Sequence, residues 1–170
     1  MEEEKQEPEK KTEEKQSLSR VEEKKAKEVA KPKKASACVR ANDLPVSLKH
    51  AMAISNFIRN KKIDDSIKKL YEVIELKRAI PMRGEIPHKH SLKGRVMSGR
   101  YPVKCAAIFI KLLKSLKANA TNCGLEAEKA IVKKAIANKA HEPFHNSGRS
   151  RGRKKRSHVE LMACEGRKND

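Results

Sequence analysis

From Leu44 onward, apolar residues recur three and four positions apart, the spacing that gives a helix one buried face. Leu48, Ala51, Met52, Phe57 and Ile58 fall on one side of a first helix predicted over 47–60, with Ser47 placed to cap it through its side chain. Ile63, Ile67, Leu70 and Ile74 repeat the pattern in a second helix over 64–78, whose first turn carries Asp64 and Asp65. Pro81, Gly84, Pro87, Gly94 and Gly99 then interrupt any regular element. A third helix begins at Pro102, where a missing N–H costs nothing, and buries Ala106, Phe109, Ile110, Leu113 and Ala120, a stripe that Leu112 and Leu116 widen. Gly124 is placed to end it in a left-handed cap.

Beyond Gly124 the period shortens to two. The runs 131–137 and 157–163, the second alternating His158, Glu160 and Met162 with Val159, Leu161 and Ala163, predict paired antiparallel strands. Upstream, residues 1–30 lack apolar periodicity. Ser19 and Glu22 could box a short helix through Val29, KPKKAS reads as a linker, and the segment as a whole predicts disorder. The expected organisation is a charged extension over 1–36 and a single domain over 37–170, the size of one ordinary core.

Charge changes this picture most. The chain carries 41 Lys and Arg against 22 acids, net +19. Residues 1–30 are net −2, so the remainder carries net +21, a self-repelling excess that calls for a polyanion nearby. It concentrates between the two predicted strands, where the 19 residues 138–156 hold 7 bases and 1 acid. Arg149, Arg151, Arg153, Lys154, Lys155 and Arg156 combine planar guanidinium forks with point charges, suited to phosphates and base faces, and Lys139 and His145 lie on the same arm. The irregular segment before the third helix adds Arg83, Lys89, Arg95 and Arg100. On the helices Lys49, His50, Lys61, Lys62 and Lys104 stand off the apolar stripes.

Candidate chemistry is otherwise thin. His88 with His90 and His141 with His145 lack the further Cys or carboxylate spacing that would close a zinc site, so neither metal nor cofactor is expected. Neither a nucleophile elbow nor a phosphate-binding Gly-Lys-Ser/Thr loop occurs, and the reading is not an enzyme. Cys38, Cys105, Cys123 and Cys164 are unpaired in spacing and read as reduced, mostly buried small apolar residues. With no apolar run long enough for a membrane span and no signal pattern, a cytoplasmic RNA-binding protein is expected. An architectural DNA-binding protein shares the composition, but a basic arm between two strands argues against DNA.

Three stretches, LPVSLKHAMAISNFIRNKK, SGRYPVKCAAIFIKLLKSLKANATNCGLEAE and GRSRGRKKRSHVEL, resemble the universal large-subunit ribosomal protein twenty-two family, called seventeen in older eukaryotic naming. The likeness spans about 41–165 and is most specific at Gly99–Lys104; the long loop before Gly99 resembles the archaeal and eukaryotic branch, and within it the stretches Leu44–Ser47 and Lys49–His50 resemble the archaeal form. The resemblance implies an α+β fold: three helices packed on a small three-stranded antiparallel sheet, with a long protruding β-hairpin over about 131–163. It further implies a structural role in the large ribosomal subunit, with large-subunit ribosomal RNA and neighbouring ribosomal proteins as partners. The hairpin would line the exit tunnel beside the nascent peptide. Lys49, His50, Lys61, Lys62, Arg100 and Lys104 match RNA-facing positions of the family, and Gly148 with Arg149 match the Gly-Arg of the hairpin's return strand. HEPFHNS, near the tip, stands where relatives present several arginines.

Overall fold

The computed structural model describes residues 36–83, 98–147 and 150–165. The expected disordered extension and its short helix lie outside these, as do Lys89, Arg95, Gly148, Arg149 and the His88–His90 pair. The described elements run β1 (Ala37–Leu44), α1 (Leu48–Ile58), α2 (Ile63–Ile74), β2 (Ile80–Pro81), β3 (Gly99–Arg100) and α3 (Val103–Asn122). They continue through β4 (Ala130–Lys139), β5 (Phe144–Ser147), β6 (Ser150–Arg153) and β7 (Ser157–Glu165).

The main sheet is antiparallel in the order β1-β7-β4, so the expected three helices and three-stranded sheet are present. β7 is central, and its alternation is clean: Val159, Leu161 and Ala163 are buried beneath the helices while His158, Glu160 and Met162 lie on the other face. On β4 the buried positions are Ala130, Val132 and Ala135, a spacing that breaks the period of two. A register shift between Val132 and Lys134 explains it, because one extra residue in the strand turns the next apolar side chain back to the core. α3 packs against α2 and across β1 and β7, and α1 lies on β4. Phe109 of α3 is the largest fully buried side chain among the described residues, within a cluster of Ile, Leu, Val and Ala.

Several expectations need correcting. β1 is a strand that the pattern did not reveal. It pairs with β7 from Ala37 opposite Ala163 to Leu44 opposite Ser157, and the shift after Ala41 is absorbed where Asp43 takes a positive φ of 52°. Ser47 occupies the N-cap position but caps nothing with its side chain; its carbonyl accepts the Ala51 N–H at 2.9 Å. α1 buries Ala51, Ile54, Ser55 and Ile58, leaving Met52 48% exposed. α2 stops at Ile74 rather than Arg78, because Leu76 adopts a positive φ of 59° and the Lys77 N–H turns back to the Glu72 carbonyl. Pro102 is the N-cap of α3 and not its first helical residue. Gly124 does take the expected left-handed conformation, at φ 77°. The interrupted segment after α2 is not wholly irregular, since β2 and β3 pair at its two ends, Ile80 opposite Arg100 and Pro81 opposite Gly99.

The cysteines are free, as expected, but only Cys105 is buried; Cys38 is exposed on the outward side of β1, and Cys123 and Cys164 are intermediate. Burial pushes the Cys105 thiol up to about 12, which withholds the reactive thiolate. Labelling the native protein with a maleimide is therefore expected to modify Cys38 first and Cys105 only after denaturation. Rapid modification of Cys105 in the folded state would contradict this packing.

Candidate nucleic-acid interface

The arm is rooted in the sheet and then changes ladder. β4 and β7 pair out to Lys139 opposite Ser157, after which the Ala140 N–H donates to the Arg156 carbonyl at 3.2 Å. The Lys154 N–H donates to the Pro143 carbonyl at 2.9 Å, and β5 pairs with β6 from Phe144 opposite Arg153 to Ser147 opposite Ser150. One continuous hairpin was expected; two ladders joined through Pro143 are found. Proline has no N–H to give to a ladder, which accounts for a break there. Lys154, Lys155 and Arg156 occupy the return side of the break, with Lys154 and Lys155 exposed and Arg156 half-buried.

Two groups of cations form where the arm meets the body. In the first, α1 supplies His50, β3 supplies Arg100 and the arm supplies Lys155. His50 is held below its ordinary value of 6.5, first by burial and then by the charges of Lys155 and Arg100. Two charges far from α1 in sequence, on β3 and on the arm, thus oppose protonation of His50. In the second, Lys49, Lys61 and Arg83 rim a groove between α1 and the residues following β2. The Lys61 ammonium lies 3.8 Å from the centroid of the Phe57 ring. Burial pulls Lys61 below the usual lysine range, and the charges of Lys69 and Arg78 push the same way. Lys61 and Lys62 are held at the edge of the sheet by backbone bonds, Asn60 N–H to the Val132 carbonyl at 2.8 Å and Val132 N–H to the Lys61 carbonyl at 3.0 Å.

Other candidates are placed less suggestively. Lys62 and Lys104 are exposed. Lys139 is partly neutralised by Glu142 at 3.4 Å, so the arm's single acid falls on one of its own bases. Arg151 lies on β6 and His145 is exposed on β5. The residue that sequence reasoning missed is Phe144. It is 71% exposed at the start of β5, with the Arg153 guanidinium 5.1 Å from its ring centroid. An aromatic in a basic arm was the available signal, because such rings stack on bases while arginines hold phosphates. Among the described residues no group of three or more His, Cys, Asp or Glu gathers as a metal site would require, and no helix is long and apolar enough to cross a membrane.

Comparison with known proteins agrees with this geometry. The family model described as ribosomal protein L22p/L17e matches residues 39–163, from β1 through all three helices and the arm to β7. The chain is similar to the large ribosomal subunit protein uL22 of the archaeon Methanoregula boonei, 38% identical over 117 residues covering 67% of this chain and 76% of the relative. It is 42% identical over 106 residues to uL22 of Methanocorpusculum labreanum, covering 59% and 68%. With uL22 of Staphylothermus marinus it shares 35% over 133 residues, covering 72% and 85%. The chain therefore belongs to the ribosomal protein L22p/L17e family, in its archaeal-type form.

Proposed function

We propose that the chain is a structural constituent of the large ribosomal subunit in the cytoplasm, that it binds large-subunit ribosomal RNA, and that its arm forms part of the wall of the nascent-peptide tunnel. Its work is folding and holding RNA, without turnover. The domain over 37–170 carries that work. The observation that carries the RNA reading is the arm itself, where exposed Arg153, Lys154 and Lys155 stand with the 71% exposed Phe144, whose ring centroid lies 5.1 Å from the Arg153 guanidinium. At the root of the arm the charges of Lys155 and Arg100 oppose protonation of His50, an opposition that a phosphate lying among them would relieve. Arg153 to Arg156 on the arm and the groove cations Lys49, Lys61 and Arg83 add further positive groups. Neighbouring ribosomal proteins and the nascent peptide are the further partners. Arg83, Lys89, Arg95, Lys104 and Arg149 belong to the proposed RNA contacts from sequence. Co-sedimentation tests the reading: the protein is expected to stay with large ribosomal subunits at moderate salt and to be lost from bulk DNA. Equal retention on both would favour an architectural DNA-binding protein.

The depressed His50 also fixes the sign of a pH effect. In the free protein His50 is harder to protonate than in the unfolded chain, so its contribution to stability is intact above the ordinary value of 6.5 and falls away as the pH drops below it. A phosphate placed beside His50, Arg100 and Lys155 reverses the preference, so binding takes up a proton. RNA affinity is expected to rise as pH falls from about 7.5 to about 5.5, across the range where histidine titrates. The His50→Gln protein should show a flatter rise in the same titration. Identical pH profiles for the two proteins would place the phosphate elsewhere.

A further inference from the structure

The groove on α1 is more than a cationic rim. Its volume is about 580 Å³, within the range of sites that enclose small molecules. Besides Lys49, Lys61 and Arg83 its lining is mostly apolar, with Met52, Phe57 and Met82 beside Asn56, and no acid lines it among the described residues. A phosphate chain alone has no use for such a floor. We infer that the groove receives one nucleobase turned out of the RNA, with its phosphate held on the Lys49, Lys61 and Arg83 rim. This rests on the RNA-binding reading above and adds a specific subsite to it.

The chemistry of each side matches. A nucleotide presents a flat π surface, a polar edge and an anion, and single-stranded bases are recognised by stacking and by hydrogen bonds to their edges. Met52, with nearly half its surface open to solvent, and Phe57 offer the apolar contact. Asn56 brings an amide that both donates and accepts, as reading a base edge requires. Lys61, 3.8 Å from the Phe57 ring centroid, sets a cation directly beside an aromatic ring, the complement of a phosphate beside a base. An acidic protein segment would also satisfy the cations. RNA is favoured because the lining pairs its three cations with an apolar floor and the Asn56 amide, matching the anion, the flat ring and the polar edge of one nucleotide.

Ultraviolet crosslinking of purified large subunits containing the full chain, followed by tryptic mapping, is the test, paired with binding of a large-subunit ribosomal RNA transcript by the Met52→Ala, Asn56→Ala double variant. Both positions are exposed, so the fold is retained. A nucleotide adduct on the peptide His50–Arg59 is expected, together with about a tenfold loss of transcript affinity at unchanged salt slope, since neither residue is charged. Adducts confined to the arm, a crosslink from this peptide to another protein, or affinity within about twofold of wild type would each overturn the base pocket and leave the RNA reading standing. If the wild-type chain itself fails to bind the transcript, the RNA reading falls with it.

Discussion

Replacing Phe109 by alanine is expected to remove about 3–5 kcal/mol of stability, which would unfold much of the free protein. The ring is fully buried, in the middle of the helix that crosses the sheet and packs on α2. Around it the core is built from smaller aliphatic groups, including Ala106, Ala120, Ala135 and Ala163, which have no spare length to refill a cavity. A domain of this size holds only about 5–15 kcal/mol in total, so such a loss takes a large share. Urea denaturation of wild type and variant measures it. A loss below about 1 kcal/mol would mean that the helices slide to close the gap. Ribosomal RNA should restore part of the lost stability by mass action, because only the folded surface gathers the cations in register.

Removing Arg149, Arg151 and Arg153 together is expected to weaken RNA binding and to flatten the log–log dependence of affinity on salt by about two to three units. Each lost phosphate contact releases fewer counterions, which lowers the slope by roughly 0.7 to 0.9. Arg151 and Arg153 lie on β6, the return side of the arm, and the Arg153 guanidinium additionally lies over the exposed Phe144 ring. Lys117→Ala is the control of choice. Its ammonium is engaged by Asp64 at 2.7 Å, away from the arm, and its loss should leave the slope as it was. A triple variant with the wild-type slope would place the arm in solvent.

The helices and the two strands flanking the arm were legible because each rests on local periodicity. β1 was not, for two physical reasons. Ala37, Val39 and Ala41 are small or weakly apolar and adjoin a lysine-rich linker, and the strand's partners lie at the far end of the chain, as Arg40 bonding Glu160 shows. Pairing across that separation leaves no local signature. The cationic residues were legible as a set, from charge alone. Which of them act on one another was not, because the effect of Lys155 and Arg100 on His50 joins three stretches far apart in the sequence. The helical spacing of Met52 was read as core, yet it is 48% exposed and lines an open groove, since the buried face of α1 is centred on Ile54 and Ile58; Phe57 lines the same groove while packing against the edge of the core. The Lys139–Glu142 pair was equally invisible, as it forms where the two ladders of the arm join. Phe144 could have been found by asking why an aromatic stands in a basic arm, in a chain with only 3% aromatics.

The central claim is that arm and body together hold ribosomal RNA. A density map of large ribosomal subunits containing this chain tests it most directly. The account predicts RNA packed along both sides of Phe144–Arg153, with phosphates against His50, Arg100 and Lys155 at its root. An arm projecting into solvent, with RNA absent from that cluster, would contradict it.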